Sequence, residues 1–176
     1  MKRSVLNFSP TVNFRYKFSK RTRLQIVYRG KGRQPNVRDL QPVEDRTNPL
    51  NIRIGNPALK PSYTNTFTSY HTKRQRNIVA SLLVENTVNS VTNQVTYDEE
   101  TGGRVTTPMN MNGNWRALGS FSLNTPFRNR SWIFRTYSYV QYRNQNGYTT
   151  LNREEPMKST VKHLTARERL QLTYRT

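Results

Sequence analysis

Alternation of apolar and polar residues, sustained far beyond the length of a globular strand, is what most constrains this chain. Val105, Met109, Met111, Trp115, Ala117, Gly119, Phe121 and Leu123 are all odd-numbered, while Arg104, Asn110, Asn112, Asn114, Arg116, Ser120 and Ser122 take the other parity. A period of two puts successive side chains on opposite faces of a strand. The run implies a strand of about 20 residues, several times the ~5–6 usual in soluble proteins.

Other segments repeat the pattern. Leu6, Phe8, Val12, Phe14, Tyr16 and Phe18 oppose Asn7, Ser9, Thr11, Asn13, Arg15 and Lys17, with Pro10 marking a bulge or edge. Leu24, Ile26 and Tyr28 oppose Arg23, Gln25 and Arg29. Residues 62–71 alternate poorly and read as a strand only from their surroundings. Ile78, Ala80, Leu82, Val84 and Val88 form the next strand, whose phase slips near Ser90, so a bulge is expected there. Trp132, Phe134, Val140 and Tyr142 follow, then Leu164, Ala166, Leu170, Leu172 and Tyr174. The expectation is an all-β, antiparallel up-and-down meander of about seven long strands. Its short turns fall at 19–21, 72–76 and 124–130; longer connections fall at 30–61, 97–103 and 145–162. Sorting short turns to one end and long loops to the other is the habit of transmembrane β-barrels.

Composition agrees. Only 33% of the residues are hydrophobic, which in a soluble chain signals too small a core. Strands apolar on one face alone account for the deficit. The longest apolar run, Ile78 to Val84, spans seven residues, and a membrane-crossing helix needs ~20. Met1-Lys2-Arg3 resembles a secretory n-region, but no h-region follows. There is no cysteine, hence no disulfide or thiolate metal site.

A second signature lies in the long loop. Arg33 to Pro35, Asp39-Leu40-Gln41-Pro42 and Gly55-Asn56-Pro57-Ala58-Leu59-Lys60-Pro61 stand in fixed order. Each proline fixes its own φ and biases its predecessor away from helix, and Gly55 is free to take a positive φ. The pattern resembles the "R-x-P … D-L-x-P … G-N-P-x-L-K-P-E" of TonB-dependent outer-membrane receptors and the outer-membrane β-barrel proteins of Bacteroidetes-type bacteria. Gly55, Asn56, Pro57, Leu59, Lys60 and Pro61 carry the motif, and Ser62 replaces the family's acidic residue. Residues 1–176 would then form one partial barrel domain. Seven strands do not close, and Tyr174-Arg175-Thr176 lacks the terminal aromatic used by resembling barrels as an assembly signal, so truncation at both ends is expected.

The resemblance implies energised ligand uptake across the bacterial outer membrane. It also implies a plug domain and a TonB-type energising protein acting through regions outside this sequence. The loop 30–61 would be the ligand- or plug-contacting surface, with the ligand itself unspecified. Outer-membrane lipid would meet the apolar parity, with Val105, Met109, Met111, Trp115, Phe121 and Leu123 as candidate lipid-facing residues. Trp115, Trp132, Tyr28 and Tyr142 would belong to aromatic belts.

Two alternatives remain: a structural or adhesive outer-membrane barrel, and a basic β-sheet protein that binds nucleic acid. Net charge is +19, which favours polyanions. Yet eight of the ten acidic residues lie in the long connections, and many strand Arg and Lys residues sit opposite the aromatics. Bases stacked on the aromatic face would lie across the sheet from those cations, so a water-filled lumen explains the arrangement better than nucleic acid. His71 and His163 have no acid or thiol at ligand spacing. Glu99-Glu100 and Glu154-Glu155 are adjacent carboxylates that point apart. No phosphate loop or catalytic set is present, so neither enzyme chemistry, a metal nor a cofactor is expected.

Overall fold

The period-two segments pair into one antiparallel meander. A computed structural model describes residues 8–74, 77–97, 102–127, 131–151 and 157–174. Its strands are β1 (Thr11–Ser19), β2 (Thr22–Arg33), β3 (Glu44–Asp45), β4 (Asn51–Ile54), β5 (Ser62–Lys73), β6 (Ile78–Val88), β7 (Ser90–Tyr97), β8 (Arg104–Met111), β9 (Asn114–Phe127), β10 (Trp132–Leu151) and β11 (Met157–Tyr174), with one helical turn, α1 (Val37–Leu40). Strands β1, β2, β5, β6, β9, β10 and β11 lie side by side in that order, every pair antiparallel.

The count is eleven rather than seven, for two reasons. The loop after β2 contains two short strands of its own, β3 and β4. The long hairpin of residues 78–123 is also cut in two, into β6–β9 and β7–β8. The cut is not the bulge expected near Ser90. Pairing runs from Ile78↔Leu123 to Thr87↔Asn114 and resumes at Ser90↔Met111, so neither strand gains a residue. Both break together instead, at Asn89 (φ 51°) and Gly113 (φ 90°). Beyond the break, β7 runs parallel to the end of β10, and β8 runs parallel to β4.

Breaking two strands releases backbone groups, and asparagines recapture them. Asn89 N donates to Asn112 Oδ1 (2.7 Å), Asn144 Nδ2 to Gly113 O (2.8 Å), and Asn110 Nδ2 to Asn89 O (2.9 Å). Asn146, 5% exposed, donates through Nδ2 to Asn112 O (2.9 Å) and accepts from Thr160 Oγ1 (2.9 Å). A Cβ on Gly113 would stand 2.5 Å from Asn146 Nδ2. Truncating a side chain that satisfies part-buried groups costs about 1–3 kcal/mol. Asn146→Ala and Gly113→Ala are therefore expected to speed amide exchange across β7–β8 while β6–β9 stays protected.

The loops sort by end as expected. Arg74 N bonds Arg21 O (2.7 Å) and Asn124 N bonds Asn77 O (3.2 Å), so the short turns are neighbours. The stretch 145–162, expected as a loop, is mostly strand: Gln145↔Val161 through Thr149↔Met157 continue the β10–β11 ladder. The connection of 152–156 lies outside the described residues, as do 75–76 and 128–130 in the expected short turns, 98–101 at the expected hairpin tip, and 1–7 at the start of the first expected strand. Β2 likewise runs on to Arg33, and the weakly patterned segment 62–71 is indeed strand, held between β2 and β6.

Candidate functional site

Cross-strand partners share a face, so the pairing register assigns every side chain. One face carries Val12, Phe14 and Tyr16, then Leu24, Ile26 and Tyr28, Phe67, Leu82 and Val84, Phe121 and Leu123, Phe134 and Val140, and Leu170 and Leu172. Many of these are openly exposed, Leu82 by 50% and Leu170 by 66%. An apolar face this large and uncovered is a membrane-contacting face. Aromatics border it: Phe127, Trp132 and Tyr174 cluster at the short-turn end, and Trp115 meets Tyr142 (4.9 Å) towards the other. Trp132 and Tyr142 lie about ten residues apart on β10; at ~3.3 Å per residue and a ~40° tilt, that separation matches an apolar band ~25 Å tall. Tyr28 packs on Phe67 (4.8 Å) in the same face.

Of the six candidate lipid-facing residues, Trp115, Phe121 and Leu123 belong to this face. Val105, Met109 and Met111 lie beyond the break, in β8. Met111 is buried to 3% exposure, so it packs against protein and meets no acyl chain. Its odd parity pointed outward only for an unbroken strand. Glu168 is a residue that alternation overlooked. It sits on the outer face opposite Ser138 and accepts a hydrogen bond from Thr136 Oγ1.

The other face is cationic along its height. Arg15, Lys17, Arg23, Arg29, Lys31, Arg33, Arg116, Arg135, Arg143, Arg167 and Arg169 all carry its parity. Glu85 is the one carboxylate there among the described residues, paired with Arg116 (3.2 Å). In a barrel, this polar side lines the lumen.

At the long-loop end, residues 34–61 fold into a docked unit rather than a free loop. Asn36 caps α1. Asp39 binds Arg53 (2.7 Å), and Asp39 O accepts from Asn56 N (2.6 Å). Asn56 Oδ1 takes Ala58 N (2.9 Å), closing a turn that drives Leu59 inward to 1% exposure. Asn56 Nδ2 donates to Pro108 O (3.1 Å), while Lys60 N and O both bond the Asn110 amide (2.7 and 2.9 Å). The motif Gly55–Pro61 thus clamps the loop onto β8. Gly55 does not take the expected positive φ. It is needed because a Cβ would stand 2.0 Å from Gln41 O.

The carboxylate of Asp45 is held below its ordinary pKa of 3.8, first by the Thr47 hydroxyl, then by the Thr47 amide and Arg38. A depressed folded-state pKa means stabilisation above the unfolded value that fades as pH falls through the lowered one. The Asp45–Thr47 turn is expected to loosen only below about pH 4, as followed by amide exchange of Thr47.

Beneath this unit, Arg33, Asn36, Asp39, Thr64, Thr87 and Asn93 line a polar hollow of about 470 Å³ at the mouth of the lumen face. Among the described residues no group of three His, Asp or Glu side chains could hold a metal ion.

The model of the outer membrane protein beta-barrel family matches residues 1–175. No protein of curated function matches the sequence. Among solved structures, the siderophore receptor PirA from Pseudomonas aeruginosa is similar to 95% of this chain with a TM-score of 0.55 and 12% identity. That likeness concerns the fold, and the chain spans 36% of the receptor's length. Patterning, sorted faces and the family match agree: this chain belongs to the outer membrane protein beta-barrel family and lies in the outer membrane.

Proposed function

We propose that the chain forms part of the wall of a TonB-dependent receptor, taking up a ligand across the outer membrane rather than catalysing a reaction. The observation carrying this reading is the docked loop 34–61, hydrogen-bonded to β8 over a polar hollow at the mouth of a cationic wall. A barrel serving only structure has no need to clamp a long loop above its lumen. The fold likeness to a siderophore receptor supports the same reading. The open sheet between β1 and β11 is completed by further strands of the full protein, whose other regions supply a plug and the contact to a TonB-type energising protein. The extracellular loop and the hollow beneath it catch the ligand.

The test is genetic and biochemical together. Cells making the full protein should lose uptake of its ligand, found by comparing solute depletion with and without the gene, when the energising protein is deleted. Uptake indifferent to that deletion, or no solute taken up, would favour the structural reading. Saturable RNA or DNA binding at 150 mM salt, where screening acts over ~8 Å, would favour the nucleic-acid reading.

A further inference from the structure

Low on the lumen face, near the short-turn end, β9, β10 and β11 line a second, open hollow of about 240 Å³. Its polar lining is Ser122, Asn124, Arg135, Tyr137, Arg169 and Gln171. Asn124 faces Arg135, which faces Gln171, and Ser122 faces Tyr137, which faces Arg169. Arg135 and Arg169 are therefore diagonal neighbours across one strand pair, a spacing of ~7–8 Å that long side chains bridge. Among the described residues, neither guanidinium is paired with a carboxylate. The nearest acid along β11, Glu168, belongs to the opposite face.

Every charged group lining this hollow is positive; its other lumen-parity groups are an amide pair and two hydroxyls that can donate, and Leu123 and Thr136 also border it. Two forked guanidiniums converging on one space are suited to planar or tetrahedral oxyanions, which accept bidentate pairs. The wall around it adds a field of the same sign, which raises the local concentration of anions.

We infer that this hollow is an anion-binding station on the lumen wall, taking a small polyanion that bears phosphate or carboxylate groups. Arg135 and Arg169 clasp its oxygens, and Tyr137, Asn124 and Gln171 supply the outer hydrogen bonds. The inference rests on the receptor reading only in making that anion the solute in passage. It places a holding point below the mouth, between the loop hollow and the short-turn end.

The probe is radiolabelled inorganic pyrophosphate, equilibrated by dialysis with the full-length receptor in detergent at 150 mM salt. One saturable site per receptor is expected. Arg135→Gln with Arg169→Gln should weaken it at least tenfold, while Arg15→Gln with Arg23→Gln, which removes the same charge elsewhere on the wall, should weaken it less than threefold. Arg169→Lys keeps the charge but loses the fork, so it should fall between; it serves also if the double variant fails to assemble. Equal losses in both pairs would overturn the inference, since a diffuse field would then suffice. Absence of saturable binding would overturn it as well. Binding is read without uptake, so a failed uptake experiment would leave the station standing and a failed titration would leave the receptor reading standing.

Discussion

Phe121→Arg should cost the intact protein about 2–4 kcal/mol and block its assembly in the membrane. Phe121 pairs with Ser138 on β10, midway between Trp132 and Tyr142, so it lies near the centre of the apolar band. Leu82→Arg, close by on β6, should do comparable damage. Trp115→Arg, at the border of the band, should cost far less, about 0–1 kcal/mol. Ser120→Arg is the decisive control. It is adjacent in sequence but faces the lumen, where it loses only the Ser81–Ser120 hydrogen bond (2.7 Å), about 1 kcal/mol. Heat-modifiability of the full-length protein separates the outcomes. Similar loss at positions 120 and 121 would undo the assignment of faces. Asn112, which by parity alone looks equally tolerant, is not: it bonds Asn89 N and receives Asn146 at the strand break.

The faces were legible in the sequence because lipid and water select opposite residue types at every second position. The same logic explains where sequence reasoning stopped. Above the band neither face is selected for lipid, and polar residues such as Asn146 and Thr150 are buried there, so residues 145–151 and 157–162 carry no alternation and resemble a loop; pairing of β10 with β11 decides them. The phase slip after Val88 was visible, but a bulge and a paired break leave the same trace in one strand. Only the partner shows that Asn89 faces the Asn112–Gly113 step. A usable signal did exist, in the density of asparagines around Asn89 and a glycine at the matching register. Glu168 escaped notice because one acid in an apolar row reads as noise until Thr136 is seen to hold it. The anion hollow needed three strands in register, which no single segment encodes.

Gly55→Ala and Leu59→Ala are expected to release the loop 34–61 without unfolding the barrel wall. The clash at Gly55 is with the backbone of Gln41 and with Arg38 O (3.0 Å), so no side chain can move aside to relieve it. Leu59 is 1% exposed, and emptying such a site typically costs 2–5 kcal/mol. That is enough to break a clamp made otherwise of a few polar bonds, each worth about 0.5–1.5 kcal/mol net. Lys60→Ala should do almost nothing, although Lys60 belongs to the same motif, because only its backbone N and O reach Asn110. Asn110→Ala, which removes both of those partners and the bond to Asn89 O, should resemble Leu59→Ala. Trypsin provides the readout on the intact protein, through cleavage after Arg38, Arg46 and Arg53. Rapid cutting in Gly55→Ala and Leu59→Ala, slow cutting in Lys60→Ala and unchanged heat-modifiability throughout are the expected results. If Lys60→Ala were cut as fast as Leu59→Ala, the motif would act through its charge rather than through the buried turn, and the docked-loop description would have to be abandoned.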